Sequence, residues 1–376
     1  MSWDLIKEWQ SNLPSNGQIS RRTWLTIKFT AAENGKTVDI SEDISKFFIS
    51  MDYTDNMDGK ADDLSINLED RAGLWLNSWL PDDEGNLLDV TAHTFNRITL
   101  SDGEVVTHLG KFEIDEVTCK GSPATAQIKA VSVVGNSSLR SQKKNDSWEK
   151  VTLKKIAEDI ASRNNLSLLF DCDENPENDH IEQANQTDLE FLTKLCSGQG
   201  LSLKVTPEQL IIFDEYKYEL QEPLITVYKP GTEARGGKDI FLTWVSDWDF
   251  RNKTRDTYDK CIVKTQKSKK KDVISGEFAA PNTSADTKKI LYINQQVKDE
   301  VEAKRLAKKK LREANKEKFT GSFITIINFN FAAGITLDIR GFGKFDGKYI
   351  VTKVNHSIST SDSKTTVDVR KCLDGY

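Results

Sequence analysis

The chain has 376 residues, and at about 100 to 200 residues per domain this length predicts two or three domains with ample material for hydrophobic cores. Hydrophobic residues are 37% and charged residues 29%, which excludes collagen-like chains, disulfide-rich miniproteins and fully disordered chains. The net charge of -6 argues against a generally basic nucleic-acid binder, and no apolar run approaches the roughly 18 residues of a membrane span.

The N-terminus and the cysteines predict where the protein is made. Residues 1–8 lack the basic flank and apolar run of a signal peptide, so we expect synthesis in the cytoplasm. The five cysteines lie far apart and never form a C-x-x-C pair, which favours reduced thiols over disulfides or a zinc site.

The first 146 residues predict an arm followed by a β domain. Residues 1–20 are predicted to be an N-terminal arm that ends in a turn. Residues 21–146 alternate apolar and polar side chains, which predicts short strands in a barrel or a sandwich. The predicted strands include 98–100, 110–117 and 126–134.

The pattern changes to helical spacing at residues 147–218, which predicts a small α/β domain. A helix is expected over 151–164, with Ser147 or Thr152 as its N-cap. The sequence from Thr187 to Glu190 has the form of a capping box and predicts a second helix. A hairpin over residues 201–214 completes the domain.

Period-two alternation returns in residues 219–376, which predicts a second β domain with one long helix near 297–318. The predicted fold class is therefore mainly β with α+β parts, two β domains bracketing one α/β domain.

An acidic segment partly matches a calcium-binding loop. Residues 171–175 together with Glu182 have the carboxylate spacing of an EF-hand loop. Pro176, however, stands where that loop needs a left-handed residue, so a solvated acidic loop is the preferred interpretation.

The glycine-rich segment 341–347 superficially resembles a phosphate-binding loop. Strands are predicted on both sides of it, whereas a phosphate cradle needs a following helix, so a hairpin or bulge is expected. The sequence gives no catalytic residue, no metal ligand and no cofactor-binding residue, since its histidines stand in no recognisable catalytic motif.

Two features of the sequence are candidate interaction sites. Residues 39–70 are strongly acidic and 297–318 strongly basic, which indicates either two solvated faces or patches that meet between subunits or line a conduit. Two tryptophans precede an acidic turn and are either core anchors or an exposed interface plug. The candidate residues are Asp55, Asp58, Asp62, Asp63, Trp75 and Trp79.

Three segments together resemble the late control protein D family, the baseplate hub of contractile phage tails and related injection particles. They run over residues 55–75, 188–205 and 334–356 and occur in the order typical of that family. The resemblance spans about residues 20 to 376.

The resemblance implies a structural homotrimer rather than an enzyme. In that family two β-barrel domains of each subunit imitate two tail-tube subunits, so that three copies match a hexameric tube above and a trimeric central spike below. The implied partners are the tail-tube protein, the spike protein and other baseplate or tape-measure proteins, and the implied location is the baseplate of a virion or tail-like particle. The two β regions show no obvious sequence repeat, so the duplication is implied by the resemblance alone.

Two other functions remain open at this point. One is a cell-wall hydrolase or peptidase acting at the tip during injection, which only unspecific carboxylates favour. The other is a carbohydrate-binding adhesin, which no aromatic platform supports. The acidic residues around Asp52 to Asp63 are expected, in the hub interpretation, to face the lumen and repel passing nucleic acid or tape-measure protein.

Overall fold

The computed structural model describes residues 21–57, 61–75, 85–97, 103–132, 138–206, 208–232, 240–242, 245–266, 273–281 and 289–376. Strands predominate in these residues, so the chain is a mainly β protein, as the sequence predicts. The predicted N-terminal arm, residues 1–20, lies outside the described residues.

Seven strands in the N-terminal region form what we call the N-terminal half-sheet. They are β1 (Arg22–Thr30), β2 (Thr37–Asp39), β3 (Phe48–Asn56), β4 (Asp63–Glu69), β5 (Leu87–Phe95), β6 (Glu104–Lys120) and β7 (Thr125–Val131). Helix α1 (Ser41–Phe47) connects β2 to β3. On β4 the alternation works as predicted, because Leu64, Ile66 and Leu68 are buried and the residues between them are partly exposed.

An α/β unit follows and has its own core. Its strands are β8 (Lys143–Thr152), β9 (Ser167–Asp171), β10 (Glu177–Thr187), β11 (Ser202–Val205) and β12 (Gln209–Phe213). Its helices are α2 (Ser138–Ser141), α3 (Leu153–Arg163), α4 (Asp188–Gly198) and α5 (Glu215–Leu220). Strands β8 and β10 pair with each other, and β11, β12 and β9 form a three-stranded sheet on which the apolar faces of α3 and α4 pack.

The rest of the chain forms a second set of strands and one long helix. The elements are β13 (Ile225–Tyr228), β14 (Ile240–Leu242), β15 (Val245–Asn252), β16 (Lys260–Gln266), β17 (Val273–Ala279), β18 (Ile290–Asn294), α6 (Glu300–Asn315), β19 (Phe319–Ile326), β20 (Thr336–Arg340), β21 (Gly347–Ser359) and β22 (Ser363–Lys371). We call β13, β14, β15, β19, β20, β21 and β22 the C-terminal half-sheet.

Helix α6 packs on a separate three-stranded sheet of β17, β16 and β18. The helix passes so close to β17 that a Cβ on Gly276 would lie 2.3 Å from the backbone nitrogen of Lys304. Any larger residue at this position would push the helix off the sheet. The C-terminal region thus contains a helix-covered sheet in addition to the predicted β domain.

The two half-sheets repeat one strand order. Along the hydrogen-bonded path the N-terminal half-sheet runs β2-β1-β5-β6-β7-β4-β3, and the C-terminal half-sheet runs β14-β13-β20-β21-β22-β19-β15. When strands are numbered by chain order within each half, the two sequences are identical. Five strands also match in direction, since β3, β4, β7, β6 and β5 are successively antiparallel, as are β15, β19, β22, β21 and β20. The match ends at one edge, because β13 is parallel to both neighbours whereas β1 is antiparallel to both.

The half-sheets join into one sheet of fourteen strands through β3 and β21. These strands pair antiparallel from Lys353 opposite Asn56 to Ser359 opposite Ser50. The N-terminal half-sheet curves around its core, since Tyr53 on β3 and Phe112 on β6 have ring centroids 5.7 Å apart although β4 and β7 lie between these strands.

Local signals in the sequence predict most elements and miss several boundaries. The long helix is confirmed, with the bounds Glu300–Asn315 and Asp299 as its N-cap, and segment 341–347 joins two antiparallel strands as expected. The helix predicted over 151–164 begins at Leu153, because the preceding ten residues form β8 and Thr152 is the N-cap. The sequence pattern does not predict β5, and the strand predicted at 98–100 lies outside the described residues.

Candidate functional site

The three parts of the chain meet at Lys204 on β11. Its Nζ lies 2.5 Å from Oδ1 of Asp55 on β3 and 3.5 Å from Oδ1 of Asp62, which directly precedes β4. The other oxygen of Asp55 accepts a hydrogen bond of 2.8 Å from the backbone N–H of Ala333. We call Asp55, Asp62 and Lys204 the junction cluster, because it joins the N-terminal half-sheet to the α/β unit and to the C-terminal region.

The backbone positions both carboxylates of the junction cluster. Oδ1 of Asp62 accepts the N–H of Asn56 at 2.9 Å, and the Asn56 side chain donates to the carbonyl of Ala61. The backbone N–H of Asp62 donates to the Ser132 hydroxyl at 2.9 Å. Asn56 and Asp62 are therefore held by hydrogen bonds that do not involve Lys204.

The junction cluster contains two carboxylates and only one ammonium group. Burial raises the pKa of Asp62 to about 6, Lys204 opposes this rise and Asp55 adds to it. Burial works against the charge of Lys204, yet the two carboxylates outweigh burial and raise its pKa above the ordinary lysine value. One buried ammonium thus faces two carboxylates, and the raised pKa of Asp62 reflects this excess of negative charge together with burial.

A neutral histidine lies beside the junction cluster. Burial lowers the pKa of His356 on β21 to about 4, although Asp55 acts in the opposite direction. The imidazole stacks on the ring of Tyr53, with centroids 5.9 Å apart, and its Nδ1 lies 2.9 Å from the Thr365 hydroxyl. At neutral pH it is an uncharged part of the seam between the half-sheets.

A second buried group of charges ties helix α5 to the C-terminal region. Arg370 on β22 forms ion pairs with both Glu215 and Glu219, and Nη2 of Arg312 on α6 lies 2.6 Å from Oε1 of Glu219. We call these four residues the arginine cluster. The Ser202 hydroxyl donates to Glu215, so its carboxylate receives donors from three directions.

The arginine cluster keeps the carboxylate of Glu215 ionised. Burial works against the charge of Glu215, but Arg370, Lys316 and the Ser202 hydroxyl outweigh it and hold its pKa at about 2. Arg370 in turn has a raised pKa, because the two glutamates outweigh its burial. Both clusters are dense in hydrogen bonds and ion pairs, although Nη1 of Arg312 is buried with no hydrogen-bond partner among the described residues. Such an arrangement fastens units together.

The predicted interaction residues differ in their exposure to solvent. Asp55 and Asp62 are each 8% exposed, so the expectation that they face a lumen is wrong: both are turned inward onto Lys204. Trp75 is 5% exposed and packs edge-on against Phe47, which makes it a core anchor rather than an exposed plug. Asp63 is exposed, and its role in an interface stays a prediction. Asp58 and Trp79 lie outside the described residues.

The carboxylates of the acidic segment 171–175 form ion pairs with lysine and arginine side chains. Lys217 lies 2.9 Å from Asp171 and 2.7 Å from Asp173, and Arg305 lies 2.9 Å from Glu174. Within the described ranges no group of three or more His, Cys, Asp or Glu is placed to hold a metal ion. In the same part of the chain no helix is long and apolar enough to cross a membrane.

Comparison with protein families identifies the chain. The family model described as phage tail baseplate hub (GPD) matches residues 113–362, which is more than half of the sequence. The chain belongs to the GPD family. The resemblance stated from the three sequence segments is thereby confirmed, and a baseplate hub of a phage tail or related injection system is the function typical of this family.

Relatives of the GPD protein agree with this assignment. The chain is 32% identical over 174 residues to a probable baseplate hub protein of Escherichia phage P2, and 27% identical over 186 residues to one of Escherichia phage 186. Each match covers 46% of this chain and 42% of the relative, so it spans less than half of either protein. The fold is similar to that of a 43 kDa tail protein from a Shewanella oneidensis prophage, with a TM-score of 0.65 and 12% identity over 93% of this chain and 100% of that one.

The residues that hold the parts of this chain together carry no recognisable signal in the sequence. Lys204, Glu219 and Arg370 lie on unremarkable strands or helices, and no local pattern distinguishes them from solvated charges. Their partners lie between 93 and 155 residues away along the chain. Only the three-dimensional pairing shows that these charges are buried.

Proposed function

We propose that this chain is a structural hub of a contractile phage tail or tail-like injection particle, assembled as a homotrimer between the hexameric tail tube and the trimeric central spike. The observation that carries the proposal is the strand order shared by the two half-sheets. One chain then presents two similar modules, each the counterpart of one tube subunit.

The symmetry argument follows from this duplication. A ring of three identical chains can match a ring of six only if each chain carries two copies of the contact surface. Two β-barrel modules per chain, one built on each half-sheet, give six modules in a trimer. The α/β unit, from α2 at Ser138 to α5 at Leu220, lies between them in sequence and is fastened to both by the two charge clusters.

The partners follow from the same arrangement. The pseudo-sixfold face of the trimer binds the tail-tube protein, and the threefold face binds the central spike, with other baseplate or tape-measure proteins as further neighbours. The chain is made in the bacterial cytoplasm and assembled there into the baseplate of the particle. Its role is mechanical, and we assign no reaction to it.

The mass of the purified chain in solution tests this proposal. Light scattering after size exclusion, with the chain alone and with its cognate spike protein, is expected to give a species of three times 42.5 kDa in at least one of the two samples. A monomer in both samples would contradict the trimeric hub.

A further inference from the structure

The repeat between the half-sheets can be followed residue by residue. In both halves a β-bulge interrupts the same strand pairing: between Ile114 and Glu116 where β6 faces β7, and between Val351 and Lys353 where β21 faces β22. Aligning the two bulges makes Glu116 the counterpart of Lys353. A second pair of bulges, on β3 and on β15, aligns in the same way.

The alignment also matches residues that were not used to make it. It places Gly110-Lys111-Phe112 on Gly347-Lys348-Tyr349, a short repeat that sequence analysis did not detect. Both glycines have positive φ, 123° and 130°, and both aromatic rings are fully buried. Backbone conformation and packing therefore support the equivalence independently.

Strand β21 shows how one half-sheet binds another. Strand β22 pairs along one edge of β21. On the other edge, β20 pairs with residues 347–350 of β21 and β3 pairs with residues 353–359. The seam inside the chain is thus formed by β3 of the first half and the C-terminal part of β21 of the second half. At this seam the side chains of His356 and Ile358 on β21 are buried.

The equivalent surfaces lack such a partner in the described part of the chain. Strand β7 pairs with one side of β6 over residues 113–120. On the other side β5 pairs up to Glu113, and the N–H of Ile114 donates to the carbonyl of Asn86. Beyond Ile114 no strand among the described residues pairs with this edge of β6, and residues 115, 116, 117, 119 and 120 are exposed. Strand β15, the counterpart of β3, pairs with β19 alone, and six of its eight residues are exposed.

We propose that β15 of one copy of this chain pairs antiparallel with residues 116–120 of β6 in a second copy. This contact repeats between chains the seam that β3 and β21 form within the chain. The inference rests on the proposed trimeric hub and adds to it the two strand edges and their register. The interface is head-to-tail, so each chain offers β15 to one neighbour and β6 to the other.

The equivalence fixes the register of this interface. The seam inside the chain pairs Lys353 with Asn56 and Ser357 with Asp52. The corresponding pairs between chains are Glu116 with Lys253, Val117 with Asn252, Thr118 with Arg251, Cys119 with Phe250 and Lys120 with Asp249.

Charge complementarity supports this register. Two of the five pairs, Glu116 with Lys253 and Lys120 with Asp249, join opposite charges, and no pair joins like charges. Opposite charges directly across an antiparallel pair are stabilising, whereas like charges there are destabilising. A shift of one residue would place Lys120 opposite Phe250 and turn every side chain to the other face.

Cysteine cross-linking tests the register directly. Four variants are made in a Cys119→Ser background: Val117→Cys, Thr118→Cys, Arg251→Cys and Asn252→Cys. Mixing two variants and oxidising them reports only contacts between chains, read as a dimer band on a non-reducing gel. Adjacent pairs in an antiparallel ladder alternate between wide and close spacing, so one of the two in-register mixtures has the close geometry that a disulfide needs.

The same four variants supply the matched control. The in-register mixtures are 117 with 252 and 118 with 251, and we expect at least one to cross-link at least tenfold faster than the out-of-register mixtures, 117 with 251 and 118 with 252. Equal rates in all four mixtures would overturn the inference. Trimers by light scattering without any in-register cross-link would overturn the inference and leave the hub proposal standing, whereas monomers throughout would contradict both.

Discussion

Lys204 and Asp55 are 149 residues apart in sequence, yet the lysine ammonium lies 2.5 Å from the aspartate carboxylate in a site where both side chains are largely buried. A buried pair of this kind contributes little net stability compared with a well-packed apolar pair, but removing one partner leaves the other charge buried and unpaired. The pair therefore fixes how the N-terminal half-sheet and the α/β unit sit against each other.

Replacing Lys204 by methionine is expected to lower the free energy of unfolding by about 3 to 5 kcal/mol, because Asp55 and Asp62 then share a buried site without a cation. Urea denaturation followed by circular dichroism measures the change. Lys194→Met is the matched control, since Lys194 is exposed on α4 and its replacement should cost no more than about 0.5 kcal/mol. Equal effects of the two substitutions would show that the junction cluster is not a buried ion pair.

The raised pKa of Asp62 predicts a pH dependence with a defined sign. Because the folded-state pKa, about 6, lies above the ordinary value of 3.8, the folded protein takes up a proton before the unfolded chain does as the pH falls. The free energy of unfolding of the wild type should therefore rise, relative to that of Asp62→Asn, between pH 7 and pH 4, by at most about 1.4 kcal/mol per pH unit for one proton.

The comparison with Asp62→Asn is needed because His356 acts in the opposite direction over the same range. Its folded-state pKa of about 4 lies below the ordinary value of 6.5, so its contribution to stability is lost as the pH falls. Taking the difference between wild type and variant cancels this contribution. A difference that stays constant from pH 7 to pH 4 would contradict the raised pKa of Asp62.

Arginine at position 370 should not be replaceable by lysine. Arg370 contacts Glu219 through Nη1 and Glu215 through Nη2, and the single ammonium of lysine cannot reach both carboxylates in this geometry. We expect Arg370→Lys to cost about 1 to 3 kcal/mol in a thermal or chemical unfolding experiment. Arg71→Lys, at a position whose side chain is 81% exposed, is the control and should change stability by less than about 0.5 kcal/mol.

Charge exchange across the proposed interface between chains should be reciprocal. Glu116→Lys or Lys253→Glu alone places like charges opposite each other, and each is expected to weaken assembly about fivefold or more. The double variant restores an opposite pair and should recover most of the loss, measured by the concentration at which the assembly dissociates in light scattering.

Both residues also have ion-pair partners within the chain: Lys129 lies 2.6 Å from Glu116, and Glu317 lies 2.9 Å from Lys253. The free energy of unfolding of each single variant must therefore be compared with that of the wild type as a control. Additive losses in the double variant would argue against direct pairing.

The sequence predicts those parts of this fold that depend on neighbours along the chain. The capping box from Thr187 to Glu190 forms as predicted, because its hydrogen bonds join residues three apart. The alternation on β4 likewise reports its buried face. Such patterns indicate which side chains are buried. They do not indicate which distant segment those side chains contact.

The parts that could not be predicted are those made by distant pairing. The carboxylates of Asp55 and Asp62 have the same sequence context as solvated acidic residues. Their burial is compensated by Lys204 on β11 together with backbone N–H groups of distant and neighbouring residues. The repeat of the half-sheets was also hidden. The two halves share strand order and bulges, while few residues are identical in both, among them Gly110 and Gly347 with their following lysines.

Electron microscopy of the purified assembly, viewed along its axis, tests the central claim that the two half-sheets act as equivalent modules of one ring. The account predicts a ring of six similar lobes with true threefold symmetry, built from three chains of 42.5 kDa. A ring of six chains, or a threefold particle whose lobes alternate between two unrelated shapes, would contradict it.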